Sequence, residues 1–487
     1  MGKDIWMGNG ENKESKGSRK SEESKESKKN KENKINKENK MGVMPVKPLI
    51  INMSVPMMIS MLVQALYNVV DSIFVAKLSE GALTAVTLAF PMQNLIISVA
   101  AGTGVGINSL LSRSLGEKRF DRADKAADNG IFLAIVSALV TLVLGLTVVR
   151  PFIASQTGDP EILEYGCQYL GIVMTISAGA YFQVTFERLL QSTGLTMYSM
   201  VSQLTGAVVN IIMDPIMIFG LLGCPAMGVA GAAYATVLGQ CIAAVVGLVL
   251  NLRYNREIHL SFAGIFHPVA EIIGQIYYVG IPSVLMMSIG SVMTYFMNRI
   301  LGQFSSTATA VFGVYFKLQS FFFMPVFGLN NGLIPVVAYN YGAKSRPRID
   351  EAIRFAVKLA VAIMLCGTFV MEVIPGPLLD LFSASDTMKS MGISALRIIA
   401  IHFPIAAFGI VMGSLFQALG QSFYSLIISL ARQLIVLIPA AYLLSLTGNV
   451  NRVWWCFLIA EAVSFTLTQL FFRRVYRRDV EPLGAAL

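Results

Sequence analysis

The chain has 487 residues, of which 55% are hydrophobic and only 14% charged, with a formal net charge of +9 and a mean hydropathy of +0.63. Globular proteins carry roughly 25% charged residues, so this composition excludes a soluble enzyme. The charge is also unevenly placed: residues 1–40 hold 12 of the 38 basic and 8 of the 29 acidic side chains. The rest sits in short loops between apolar runs, which fits membrane topology better than nucleic-acid binding.

In chain order, residues 1–44 form a tail of Lys, Glu, Ser and Asn with few side chains able to pack, expected to be disordered and cytoplasmic. It has no apolar central region of the kind a secretory signal carries. Beyond Pro48, apolar runs of about 20 residues recur, each long enough to cross a hydrocarbon core of about 30 Å as a helix. They fall at 49–74, 84–110, 128–149, 166–190, 199–221, 229–251, 276–300, 309–338, 354–374, 391–416, 425–446 and 453–472, giving twelve crossings in an all-α integral membrane protein. Prolines at 56, 91, 215, 282, 325, 335, 404 and 439 predict bent helices around a cavity. Basic residues gather at Arg113 to Lys125, Arg253 and Arg256, Lys344 to Arg348 and Arg473 to Arg478, which places both termini in the cytoplasm. Five singly scattered cysteines suit neither a zinc site nor a disulfide framework.

Sliding the sequence on itself by 226 positions reveals a duplication. Pro56 meets Pro282, Gly102 and Gly106 meet Gly328 and Gly332, and Gly116, Lys118, Arg122 and Asp124 meet Gly342, Lys344, Arg348 and Asp350. Pro151 meets Pro377, and Gln191, Gly194 and Tyr198 meet Gln417, Gly420 and Tyr424. Chance can match apolar residues, but not Gly, Pro, Lys, Asp and Gln in one ungapped register. Two six-helix lobes of like orientation are therefore expected: an N-terminal lobe at 45–256, a cytoplasmic linker at 257–275, a C-terminal lobe at 276–478 and a short tail at 479–487. Lobes related by an axis along the membrane normal enclose a cleft that rocking can open to one side at a time. Gly102 and Gly106 are read as close helix packing rather than a nucleotide loop.

The repeat serves as an internal control. Gln64, Tyr67, Asp71, Glu187, Asn210 and Asp214 lie inside apolar runs, whereas their partners are Gly290, Met293, Met297, Gly413, Val436 and Ala440, so the polarity is expected to be confined to the first half. A carboxylate at the bilayer centre costs roughly 2.5–3.5 kcal/mol on insertion scales and needs a partner or a function. Gln64, Tyr67 or Asn68, and Asp71 share one helical stripe, and Asn210 and Asp214 are one turn apart. Converging stripes give either a hard-oxygen site for a small cation such as Na⁺, or a proton-carrying carboxylate pair. The structural alternative is a hydrogen-bond network or an ion pair with Arg188.

Ala-Leu-Tyr-Asn-Val-Val-Asp at 65–71, Asn-Ile-Ile-Met-Asp-Pro at 210–215, Leu-Gln-Ser-Thr-Gly at 190–194 with Phe-Gln-Ala-Leu-Gly at 416–420, and Tyr-Asn-Tyr-Gly-Ala-Lys at 339–344 resemble the multidrug and toxic compound extrusion (MATE) transporters over residues 45–478. The resemblance implies export of organic cations and other amphipathic compounds across the cell membrane, driven by inward Na⁺ or H⁺, with no other cofactor. It further implies a monomer among lipids, with no nucleic-acid partner and no enzymatic activity. In the prokaryotic branch that it resembles, the cation site matches Asp71, Asn210 and Asp214, with a threonine on the sixth helix for which Thr236 is the candidate; Gln64, Tyr67, Asn68 and Glu187 are expected to line the cavity. The branch with acidic residues on helices seven and ten is not matched, since 276–300 and 391–416 contain neither Asp nor Glu. The alternative transport reading is a flippase for a lipid-linked saccharide or other lipid on a related two-lobe fold.

Overall fold

In a computed structural model, residues 39–382 and 384–484 are described; most of the expected disordered tail, residues 1–38, lies outside them. The chain runs through α1 (Lys40–Val43), α2 (Val46–Ala76), α3 (Glu80–Gly116), α4 (Phe120–Thr147), α5 (Val149–Ala154), α6 (Pro160–Thr175), α7 (Ala178–Ser192), α8 (Thr196–Phe219) and α9 (Gly228–Tyr254). After the linker helix α10 (Phe262–Ile265) come α11 (Ala270–Gly302), α12 (Ser306–Gly342), α13 (Arg346–Val373), α14 (Pro375–Asp380), α15 (Asp386–Ala400) and α16 (Phe403–Ala418). The last crossings are α17 (Ser422–Leu430), joined by a π-helical stretch at Ala431–Leu437 to α18 (Ile438–Ser445), and α19 (Val450–Val453) leading into α20 (Cys456–Val475). Among the described residues ten helices are long and apolar enough to span a bilayer, and two bent pairs, α6 with α7 at 45° and α15 with α16 at 49°, bring the number to twelve if each pair is one crossing.

The duplication is legible in the helix bounds: α3 and α12, and likewise α4 and α13, begin and end at the same offset. The caps repeat too. The Ser79 hydroxyl accepts from the Ala82 amide and Ser305 from Ala308, while Lys118 and Lys344 both adopt left-handed backbone, at φ 58° and 55°.

One of the two sharp breaks falls beside an expected proline: Pro404 stands at the start of α16, just after Ile401–His402. Pro56, Pro91, Pro215, Pro282, Pro325 and Pro335 lie within continuous helices, and the breaks over 40° fall at Ile176–Ser177 and Ile401–His402. Packing and alternative carbonyl partners can hold a proline inside a membrane helix, so its presence does not fix where the axis turns.

The lobes meet through glycines. A Cβ on Gly102 would lie 2.7 Å from the Val284 amide nitrogen, and one on Gly106 would strike the Ile276 carbonyl, so α3 of the first lobe presses on α11 of the second. Reciprocally, Gly328 and Gly332 of α12 abut Met58 and Ser54 of α2. Gly116 and Gly342 face the carbonyls of Tyr339 and Arg113 across the seam. These approaches all lie in the half of the molecule nearest the starts of α2 and α11, where small residues let backbones touch.

The tail boundary expected at 44 needs correction. Met41 is fully buried, and the segment 39–44 bridges both lobes: the Asn39 side-chain amide donates to the Thr193 carbonyl, and Asn340 donates to that of Met41. Arg348 donates to the carbonyls of Met41 at 2.9 Å and Met44 at 2.7 Å. Likewise residues 479–484 are helical rather than a loose tail, with Val480 buried and Arg346 bonded to the Glu481 carbonyl. The inter-lobe linker docks on α4 through Asp124, Asp128 and Asn129, which accept from the amides of His259, Ser261 and Val269. Removing the guanidinium leaves the Met44 carbonyl without its donor, at roughly 1–3 kcal/mol, while the Met41 carbonyl keeps Asn340. Arg348→Ala is therefore expected to lower the melting temperature in detergent and to speed proteolysis near residue 44, read by N-terminal sequencing of the fragments.

Candidate cation and substrate site

Asp71 lies five residues from the end of α2, and Asp214 five from the end of α8. At 1.5 Å per residue this places them toward the far end of the N-terminal lobe, away from Met41, rather than at mid-span. Their carboxyl groups come within hydrogen-bonding reach of each other. Asp214 is fully buried, Asn210 3% exposed and Thr236 4% exposed. The Asn210 side-chain nitrogen stands 3.4 Å from Asp214 Oδ1 and 3.4 Å from the Thr236 hydroxyl, which brings α9 into the cluster. The four residues expected to bind the cation thus converge from three helices.

Three oxygens in this cluster, Asp71 Oδ1, Asp214 Oδ2 and Asn210 Oδ1, are buried without a hydrogen-bond partner. An orphaned buried acceptor costs on the order of 1–3 kcal/mol, and more when charged. Two carboxylates, an amide oxygen and a hydroxyl make a hard-oxygen donor set, and the three orphaned acceptors suit a small cation or a proton. Among the described residues no group of three or more His, Cys, Asp or Glu side chains gathers as a metal centre, so the donor set rests on Asn210 and Thr236 as well as the acids. Thr236→Val, which keeps shape and removes the hydroxyl, is expected to raise the half-saturating concentration of the coupling ion about tenfold, corresponding to about 1.4 kcal/mol; transport assayed against ion concentration checks this.

Around the cluster, the Gln203 side-chain amide donates to Gln64 at 3.1 Å, and the Tyr67 hydroxyl lies near Gln64 and both carboxylates. Asn68 is exposed, so the stripe runs through Tyr67. Glu187 stands apart: it accepts from Gln183 at 3.0 Å and is bonded to neither Asp71 nor Asp214. Arg188 does not tie off the acids either, since it donates to Gln191 at 2.8 Å and, across the lobes, to Asn331 at 3.0 Å.

Sequence reasoning missed Tyr169, Gln93 and Gln203. Tyr169 is 1% exposed, lies near Gln93 and is within the field of both aspartates. Its partner in the repeat is Ala395, so the same control would have flagged it; Gln93 faces Gln319 in the repeat and leaves no such signal.

The polar asymmetry is not confined to the first lobe. Glu461 on α20 is 3% exposed and pairs with Arg432, while their counterparts are Ala235 and Gly206. Arg432 therefore points into the C-terminal lobe. Lys317 is exposed and lies over the Phe382 ring.

A cavity of about 1880 Å³ opens at the opposite end of the molecule from the acidic cluster, lined by Lys40, Lys118, Arg119, Arg256 and Glu257 among others. Burial lowers the Lys40 ammonium from its ordinary pKa and raises the Glu257 carboxyl.

The family model described as MatE matches residues 56–216 and 282–443, one copy per lobe. Multidrug export protein MepA of Staphylococcus haemolyticus is 28% identical over 414 residues, covering 84% of this chain and 89% of the relative. MepA of Staphylococcus aureus is 24% identical over 411 residues, covering 84% and 90%. Among solved structures, the outward-facing conformation of a multidrug resistance MATE family transporter of the MOP superfamily superposes with a TM-score of 0.85 at 28% identity, covering 93% of this chain and 99% of that one. A MATE structure in the straight conformation gives 0.85 at 27% identity, covering 92% and 99%.

Proposed function

The chain belongs to the MATE family, and from that premise we propose that it is a cation-coupled antiporter exporting amphipathic and cationic compounds, drugs among them, by alternating access. A multi-pass membrane transporter, not an enzyme, is what the fold and the family establish; the coupling, the substrate class and the orientation are the proposal. It rests above all on the three orphaned oxygens of Asp71, Asp214 and Asn210, a buried acidic cluster whose acceptors find no donor among the described residues. The names of the relatives support drugs as cargo.

The lobes are closed by glycine contacts at one end, and the acidic cluster lies toward the other. With both termini cytoplasmic in the plasma membrane, as the basic loops favour, the glycine seam lies on the cytoplasmic side and the acidic cluster toward the outside. Na⁺ or H⁺ enters the cluster from outside and competes with cationic substrate for the same negative field. Occupation neutralises the pair, frees the substrate and permits the lobes to rock. Each charge carried inward supplies about 2.3 kcal/mol per 100 mV, roughly fiftyfold in concentration ratio.

Purified protein in liposomes, loaded with the fluorescent cation ethidium, tests the reading when sodium and pH gradients are imposed separately. Efflux is expected to follow one of the two and to vanish when both are collapsed; efflux indifferent to either gradient would refute coupling.

A further inference from the structure

We propose that Arg432, with Glu461 beside it, forms a subsite in the C-terminal lobe for an anionic group, a carboxylate or sulfonate, on an amphipathic ligand. This extends the transport reading from cations to anionic and zwitterionic compounds.

Arg432 Nη1 lies 3.5 Å from Glu461 Oε2, its one ion pair among the described residues. Close charge-assisted bonds run at about 2.7–2.9 Å, so the pair is loose. A guanidinium carries five N–H donors in a planar fork that fits a carboxylate, and one loose contact leaves most of them unused. Two buried groups nearby are also unpartnered: Glu461 Oε1 and the hydroxyl of Tyr315, which is 1% exposed and faces both charges. Exposure differs across the pair, 26% for the Arg432 side chain against 4% for Glu461, so the open face belongs to the cation. An incoming anion meets the guanidinium first.

The backbone accommodates this arrangement. Arg432 sits in the π-helical stretch Ala431–Leu437, a wider turn often found at functional sites. His402, at the α15–α16 break, lies near Arg432 and stacks on Phe457 at 5.9 Å, and Phe457 meets Tyr315 at 5.6 Å. Tyr315, His402 and Phe457, all buried, pack as an aromatic cluster behind the ion pair. Across the repeat, Gly206 lies one turn from Asn210 and Ala235 adjoins Thr236, so the basic pair sits near the level of Asn210 and Thr236, about two turns from that of Asp214.

The test measures equilibrium binding of dansylglycine, an amphipathic monocarboxylate, against dansylamide, its analogue without the carboxylate, to the full-length protein in detergent. Wild type is expected to prefer dansylglycine at least tenfold. Glu461→Gln removes the competing carboxylate and should raise that preference a further threefold or more. The double variant Arg432→Gln with Glu461→Gln leaves no unpaired buried charge and should bind both probes alike, while ethidium binding and the melting temperature stay as in wild type. No preference in wild type, a preference retained in the double variant, or a weaker one in Glu461→Gln would overturn the subsite and assign the pair a purely structural role. Should the double variant unfold, the Glu461→Gln result decides alone. Failure of ethidium to bind wild type would count against the cation-export reading and leave the dansylglycine comparison intact.

Discussion

Asp71→Asn and Asp214→Asn are each expected to reduce gradient-driven efflux at least tenfold, to near the rate of empty liposomes, with membrane expression close to wild type. The two carboxyl groups face each other, with Asn210 and Thr236 completing the set. An amide retains the volume but supplies no negative charge, so the cluster no longer attracts the coupling ion. Expression should persist because a carboxylate in a lipid-embedded lobe is costly and its amide less so. Asp214, fully buried, should show the larger loss. Efflux measured in the same liposomes for wild type and both variants decides; unchanged transport by both would show that these acids do not carry the coupling.

The second large effect concerns the seam between lobes. Gly106→Ala and Gly332→Ala should each cut efflux roughly five- to hundredfold by disfavouring closure at the end near Met41. A Cβ at 106 would fall on the Ile276 carbonyl, and one at 332 would crowd Ser54 and the Met53 carbonyl carbon, which is 2.8 Å away. Backbone atoms cannot swing aside as a flexible side chain can, and overpacking costs roughly 1–3 kcal/mol. That energy enters only when the lobes are apposed here, so it shifts the balance toward the state open at this end. Spin labels at Lys118 and Lys344, one in each lobe, in a background lacking native cysteines, report it by pulsed dipolar spectroscopy as a new population of longer distances. An unaltered distribution with full efflux would mean that these contacts do not govern the exchange.

Much of the architecture was readable because membrane helices leave a strong signal and the chain repeats itself. The match of α3 with α12 and of α4 with α13 follows from the same residues that revealed the 226-residue offset. Three helices bring Asp71, Asn210, Asp214 and Thr236 together, two of them marked by polar residues where the other lobe has Met, Val or Ala; Thr236 came from family resemblance. Tertiary geometry hid the rest. Glu187 has the same intramembrane signature as Asp71, but its helix turns it toward Gln183. Arg432 and Glu461 lie 29 residues apart on separate crossings, and only the fold puts them in contact. The sharp turn at Ile176 has no proline beside it, whereas that at Ile401 has Pro404, and residues 39–44 read as tail because a six-residue strap has too few apolar side chains to register.

Displacement of bound ethidium from detergent-purified protein is the most direct measurement of what the acidic cluster does, because it needs neither a gradient nor a completed cycle. Adding Na⁺ at fixed pH, or lowering pH without Na⁺, should release ethidium from wild type along a one-site curve for whichever ion couples, and neither should do so in Asp71→Asn or Asp214→Asn. Release that proceeds as readily in both variants as in wild type would contradict the account.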